Sequence, residues 1–347
     1  MADKIVDTLK RIYSIVVSRA DIIFAIFMLA LVVRYAFYVA GLQSPMWDAA
    51  TYLINARNWL HGTPLFESYR PPLISWLTSA IWLVTGEEWE AVKFLSVFFV
   101  LGAGILLYMT LRKQKGGFFA LGVTSLTMLN TQVFFYSTQI YTESLSLFFL
   151  AAILFIVKLG RPNHWFLAGI AAGLAFAARY PILLQAVAII AIESLARKNW
   201  KLGLRALPGT IAVVLLVVMI MTVKTGTFDM ALSKDSSFTF LLSGFYFANS
   251  INIWGIAFIL VPFAFLFKQT YVDKYNYVFI GWFLISILFW SANSSNHQFR
   301  FAIQFTPAVY YLAVLAIENF IRDKTLIAPQ KLWKKGAYPA LSDAEAD

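Results

Sequence analysis

The chain has no cysteine. Disulfides, thiol nucleophiles and thiolate metal sites are therefore excluded. Charge is scarce too. Of 347 residues, 13% are Asp, Glu, Lys or Arg and 60% are hydrophobic, with a mean hydropathy of +0.70. Soluble domains carry about a quarter charged residues, so this balance excludes an ordinary soluble domain. The three histidines, His61, His164 and His297, form no HExxH pair, and there is no G-x-S-x-G elbow and no P-loop. The usual zinc-hydrolase, serine-hydrolase and nucleotide-binding readings fall with those motifs. Gly102-Ala103-Gly104 lies inside an apolar run and reads as packing. No repeat of fixed period is visible. The net charge of +10 could suggest nucleic acid, but the basic residues cluster in short loops between apolar runs. That is an orientation signal, and no nucleic-acid partner is expected.

What is present is a series of apolar stretches of spanning length, with 32 Phe, 16 Tyr and 11 Trp to furnish interfacial belts. The expectation is an all-α polytopic membrane protein of about ten transmembrane helices. They fall at roughly 21–40, 91–111, 117–135, 143–159, 164–178, 181–196, 206–224, 250–267, 276–292 and 302–321. Residues 1–20 alternate charged and apolar side chains and read as an interfacial amphipathic helix rather than a cleaved leader. Residues 21–321 form the membrane domain, and 322–347 a polar cytoplasmic tail. Pro72–Gly86 is apolar but short for a core about 30 Å thick, so it reads as a juxtamembrane helix. With the N-terminus inside and 72–86 not crossing, the inner segments hold 20 of the 28 Lys and Arg, which satisfies the positive-inside rule. The eight outer exceptions are Arg34, Arg57, Arg70, Lys93, Arg179, Lys224, Lys234 and Arg300.

Several of these exceptions stand beside acids in the outer loops, the longest of which run over about 41–90 and 225–249. Asp48 opens an expected helix, with Ser44 placed to cap it and Pro45 in the first turn. At 100° per residue, Asp48, Tyr52, Asn55 and Trp59 share one face, and Arg57 faces away. Asp48 either complements the helix N-terminus or acts as a general base. Arg70 precedes Pro71-Pro72, which hold the chain extended; it either snorkels or binds a phosphate. Glu143 stands in the first turn of a span that Thr142 can cap, and an acid at that depth serves the helix dipole or a site. Arg179 sits in a Pro-broken outer hairpin, and His297 and Arg300 lie in the last outer loop. Arg34 reads as a snorkelling residue.

One or two acids with several arginines at one face suit an anionic, lipid-linked substrate. In sugar transfer from a polyprenyl phosphate the leaving group is a phosphate, stable without protonation. One base then suffices, and arginines hold the phosphate. A glycosidase would need two carboxylates. A transporter or flippase of a lipid-linked anionic sugar uses similar residues, as does a non-catalytic subunit of a glycan-assembly complex. The transporter, however, predicts broken helices near the midplane and internal two-fold similarity.

The stretch WDAATYLINARNWLHGTPLFESYRPPLISWL resembles the first outer loop of GT-C-fold glycosyltransferases, in the superfamily of protein O-mannosyltransferases and lipid A aminoarabinose transferases. Asp48, Tyr52, Arg57, Gly62, Arg70, Pro71, Pro72 and Leu73 stand at the pattern's positions. YTES, ARYP and RFAIQFTP resemble weaker elements further on, and Lys93 stands where an Arg is frequent. The chain departs from the pattern at Ala49, where many members carry Glu. The resemblance implies a GT-C-like bundle and an inverting glycosyltransferase using a dolichyl- or undecaprenyl-phosphate-linked sugar. The acceptor would be a hydroxyl or amine of a glycan, lipid or protein. It implies Asp48 as base and Arg70 on the donor phosphate; by charge and outer placement Glu143 is the second candidate catalytic acid, and Arg179 and Arg300 are further candidates for the donor phosphate. Tyr52, Asn55, Lys93 and His297 would support them. No cofactor and no divalent metal are implied. The site would face outward from a plasma membrane, with both termini cytoplasmic.

Overall fold

The computed structural model describes residues 19–228, 245–292 and 298–323. The expected N-terminal amphipathic helix, most of the second long outer loop, His297 and the polar tail lie outside these residues. Among the described residues there are helices and no strands. In order they are α1 (Ala20–Ala40), α2 (Asp48–Leu60), α3 (Leu73–Thr85), α4 (Trp89–Val92), α5 (Leu95–Lys115), α6 (Gly117–Leu129) and α7 (Thr131–Ser137). Then come α8 (Thr142–Leu159), α9 (Trp165–Ala178), α10 (Ile182–Ala196), α11 (Trp200–Thr225), α12 (Phe245–Ala248), α13 (Ser250–Trp254) and α14 (Ala257–Ala264). The series ends with α15 (Lys268–Val272), α16 (Asn276–Ala292), a 3₁₀ segment (Phe299–Phe305) and α17 (Thr306–Asp323).

Each of the ten expected spans falls on helix, but they are not ten uniform rods. Five helical stretches among the described residues are long and apolar enough to cross a membrane: Ala20–Ala40, Trp89–Lys115, Thr142–Leu159, Trp200–Thr225 and Phe299–Ile321. A sixth is a bent pair. The expected 117–135 span divides at Asn130 into α6 and α7, which meet at 59°. The cause is local. The Asn130 side chain accepts from the backbone N–H groups of Gln132 and Val133, starting a new helix, and its amide donates to the Ile253 carbonyl and the Tyr310 hydroxyl. The 250–267 span is likewise interrupted, at Gly255 with φ +66. The helices α9, α10 and α16 are short, at 14, 15 and 17 residues. A 14-residue helix is roughly 21 Å long, less than a hydrocarbon core. The expected juxtamembrane helix at 72–86 is present as α3.

The helices α9 and α11 approach each other closely, and the approach follows from glycine. A Cβ on Gly169 would stand 1.8 Å from the Ala206 carbonyl oxygen, and one on Gly209 would stand 2.5 Å from that of Phe166. Gly173 meets Val213 Cβ at 2.4 Å in the same way. Small residues four apart let two backbones touch, which drives helix association where lipid competes with every apolar side chain. Gly169→Ala should cost at least about 1–3 kcal/mol, the usual penalty of overpacking. A lowered unfolding midpoint in detergent, beside an unchanged Gly122→Ala control, checks this. Gly122 has only side-chain methyls at 3.8 Å and beyond. Gly102 and Gly104 press on Phe148 and Met128, so that pair also packs.

Ionisable side chains gather at two ends of the bundle. α8 begins beside Glu143 and ends with Lys158, about 22 Å along the axis. At the Lys158 end, Glu193 pairs with Lys158 and with Arg197, and Lys115 pairs with Asp273. Arg197 also donates to the carbonyls of Val157 and Lys158, satisfying the C-terminus of α8. The candidate site lies at the opposite end.

Candidate active site

Asp48 is the first residue of α2, but the helix starts differently from expectation. Trp47 stands at the N-cap with φ +44, and no side chain caps the helix, so neither Ser44 nor Pro45 holds the position assigned to it. The preceding strand of chain is fixed from elsewhere. Met46 N–H donates to Gln139 Oε1 at 3.3 Å, and the Tyr141 hydroxyl donates to the Met46 carbonyl at 3.2 Å. Tertiary contacts with the α7–α8 connection thus override the local capping signal. A bulky residue at positive φ is rare, and such strain gathers at functional sites.

The Asp48 carboxylate receives two arginines. Arg70 Nη2 donates to Oδ1 at 3.0 Å, and Arg300 Nη1 donates to Oδ2 at 2.5 Å. Arg300 Nε also stands 3.6 Å from Glu143 Oε1, which accepts from Arg179 Nη1 at 2.6 Å. At the other end, Arg70 Nε donates to Glu67 Oε2 at 2.5 Å. Acids and arginines therefore alternate in one chain: Glu67, Arg70, Asp48, Arg300, Glu143, Arg179. Residues far apart in sequence meet because α2, the Pro-Pro turn, the start of α8, the α9–α10 hairpin and the 3₁₀ segment converge at this end. Burial alone would raise the Asp48 pKa. The hydrogen bonds and charges of Arg70 and Arg300 outweigh it and hold the carboxyl below its usual range.

Aromatic rings complete the walls. The Arg179 guanidinium lies 4.2 Å from the Phe301 ring centroid and 5.5 Å from that of Trp290. Arg70 lies 5.5 Å from the Tyr52 ring, so Tyr52 does face the site. Glu143 is 1% exposed. A carboxylate that deep persists because two guanidiniums meet it. The expected Thr142 cap is absent, and Tyr141 occupies the N-cap without a side-chain bond.

The structure brings together Asp48, Glu143, Arg70, Arg179, Arg300 and Tyr52. It leaves Lys93 out: that buried amine pairs with Glu90 one turn earlier and lies over Phe94. Asn55 is 3% exposed and reaches the arginine chain only through the loop that carries Glu67, accepting from Phe66 N–H at 2.8 Å and donating to the Glu67 carbonyl at 3.0 Å. Arg57 faces away, as its helical position requires, and pairs with Glu87, which also contacts His61. Arg34 stacks on Phe134 at 3.9 Å. Among the described residues Glu67 is the one charged member of this alternation to which the sequence assigns no role. Its signal was present as an acid three residues before the Arg of the Pro-Pro turn.

Among the described residues no group of three or more His, Asp or Glu could hold a metal ion. Residues 69–223 match the family model described as dolichyl-phosphate-mannose-protein mannosyltransferase. The fold is similar to that of ArnT from Cupriavidus metallidurans in the apo state, with a TM-score of 0.68 and 14% identity, over 91% of this chain and 62% of ArnT. Against the same protein bound to undecaprenyl phosphate the TM-score is 0.67 at 14% identity, over 90% and 61%. The archaeal oligosaccharyltransferase AglB from Archaeoglobus fulgidus, in complex with an inhibitory peptide and a dolichol-phosphate, gives 0.53 at 14% identity, over 89% and 51%. The chain therefore spans less than two thirds of the length of these proteins. No curated protein sequence matches it. The helical membrane architecture of this chain is therefore similar to that of GT-C-fold membrane glycosyltransferases, and residues 69–223 match a mannosyltransferase family model.

Proposed function

We propose that the chain is a polyprenyl-phosphate-dependent inverting glycosyltransferase acting at the outer face of a plasma membrane, with both termini cytoplasmic. The observation that carries this is the contact of one carboxylate, Asp48, with both Arg70 and Arg300. It places a base beside cations able to hold a phosphate. Undecaprenyl phosphate in ArnT and dolichol-phosphate in AglB support the same donor class here.

In the proposed reaction the donor phosphate takes hydrogen bonds from the arginines that otherwise neutralise Asp48. Arg70 is suited to this: Nε and Nη2 are engaged, and among the described residues Nη1 has no partner. As guanidinium hydrogens turn to the phosphate, the Asp48 carboxylate regains basicity. An acceptor hydroxyl or amine attacks the anomeric carbon, and its proton passes to Asp48. The bond from that carbon to the phosphate oxygen breaks, and polyprenyl phosphate leaves with its added charge facing Arg70, Arg300 and Arg179. Glu143 holds Arg179 and Arg300 in place and is the second candidate for the base. The acceptor is a lipid, glycan or protein. A transporter of lipid-linked anionic sugars is the competing reading, but the acid–arginine chain lies at one end of the bundle rather than near its middle.

The test is to supply membranes carrying the chain with a panel of polyprenyl-phosphate sugars. One donor should be consumed, with polyprenyl phosphate released and the anomeric configuration inverted in the product. Movement of intact donor across the bilayer without consumption would instead favour the transporter. Because arginines meet the phosphate charge, a chelator such as EDTA should leave the rate within about twofold. A loss beyond tenfold, restored by Mg²⁺ or Mn²⁺, would assign charge neutralisation to a metal.

A further inference from the structure

We infer that Glu67, held in place by Asn55, is a positioning residue that aims Arg70 at the donor phosphate; this rests on the phosphate-binding role proposed for Arg70. A guanidinium is planar, so fixing two of its three nitrogens fixes the direction of the third. Glu67 takes Nε at 2.5 Å and Asp48 takes Nη2 at 3.0 Å. Both partners are partly buried, and Nη1 points away from both.

Asp48 alone could not keep that aim, because its bond is the one loosened when donor binds and the base acts. Glu67 keeps hold of Nε throughout. Its own position is set by backbone contacts. Asn55 Oδ1 accepts from Phe66 N–H at 2.8 Å and from Glu67 N–H at 3.4 Å, while Nδ2 donates to the Glu67 carbonyl at 3.0 Å. The Arg70 N–H returns to the Glu67 carbonyl at 3.2 Å, closing a turn, and the Tyr180 hydroxyl donates to the Arg70 carbonyl at 3.4 Å. Backbone and side chain of Arg70 are thus anchored separately. An exposed i,i+3 pair would merely decorate a surface. This one is tied through a buried amide on α2, the helix that also carries Asp48.

The experiment measures binding of undecaprenyl phosphate to the full chain in detergent micelles, together with donor KM and kcat. Glu67→Gln should weaken binding and raise donor KM about tenfold, as for one lost charge-assisted hydrogen bond, with kcat changed less than threefold. Glu67→Asp keeps the charge one methylene short and should fall between. Lysine has no Nε donor in that position, so in an Arg70→Lys background Glu67→Gln should change binding less than twofold. Wild-type affinity in Glu67→Gln would overturn the inference, as would an equal loss with and without Arg70. If wild type binds no undecaprenyl phosphate and Arg70→Lys behaves identically, the phosphate-binding reading itself fails, and the role of Glu67 with it.

Discussion

Asp48→Asn should lower transfer by about 10²- to 10⁴-fold, the range for a lost general base, while leaving the chain folded and able to bind donor. The substitution keeps shape and one acceptor oxygen, so Arg70 or Arg300 retains a partner. It removes the one carboxylate that, among the described residues, both arginines contact. Donor binding should hold or tighten, because the phosphate no longer competes with a carboxylate for their hydrogen bonds. A fall in kcat with steady or lower donor KM is therefore the expected signature. A merely structural Asp48 would give a lowered unfolding midpoint and a raised KM instead. The pH profile gives a second reading. In the free protein the arginines hold the Asp48 carboxyl below its usual range, so kcat/KM should stay flat to unusually low pH before its acid limb. In the complex the phosphate shares those arginines, and the acid limb of kcat should lie higher. If Asp48→Asn retains wild-type rate, Glu143→Gln is the next variant to assay.

Much of this arrangement is legible in the sequence, and for identifiable reasons. Positive-inside counting singles out eight basic residues, and among the described ones Arg70, Arg179 and Arg300 converge. Helical periodicity turns Arg57 away from Asp48 and Tyr52 toward Arg70, as observed. The Pro-Pro break and the short apolar run after it locate α3. What escapes is set by contacts distant in sequence. Nothing near Ser44 reveals that Gln139 and Tyr141 will hold Met46 and force Trp47 to positive φ. Nothing in an apolar window shows that Asn130 will cap a second helix and bend a span. Lys93 has the right charge, but it is drawn to Glu90. The alternation of acids and arginines is a property of the assembled end of the bundle, since Asp48 and Arg300 are 252 residues apart.

Arg300 is the node of that alternation, and its loss should be the most damaging among the arginines. Arg300→Ala should cost about 10³-fold in transfer, toward the upper range for removing one group that stabilises developing charge. Arg300→Lys should recover little of it, remaining about 10²-fold down. The reason is geometric. One guanidinium reaches Asp48 Oδ2 through Nη1 at 2.5 Å and faces Glu143 Oε1 through Nε at 3.6 Å. A single ammonium cannot serve two carboxylates on opposite sides of a planar group. Among the described residues, buried Glu143 would keep only Arg179, and Asp48 only Arg70. Two acids now held apart by a shared cation would then repel each other, so the alanine variant should also lose stability. Arg179→Lys offers the contrast. Among the described residues Arg179 meets a single carboxylate, and it packs on Phe301, so the lysine variant should retain more activity than Arg300→Lys. Comparing the two variants by transfer rate and by unfolding midpoint separates a bridging cation from a terminal one. If both lysine variants lose activity equally, the site needs only the number of its cations, and the order in which acids and arginines alternate carries no function.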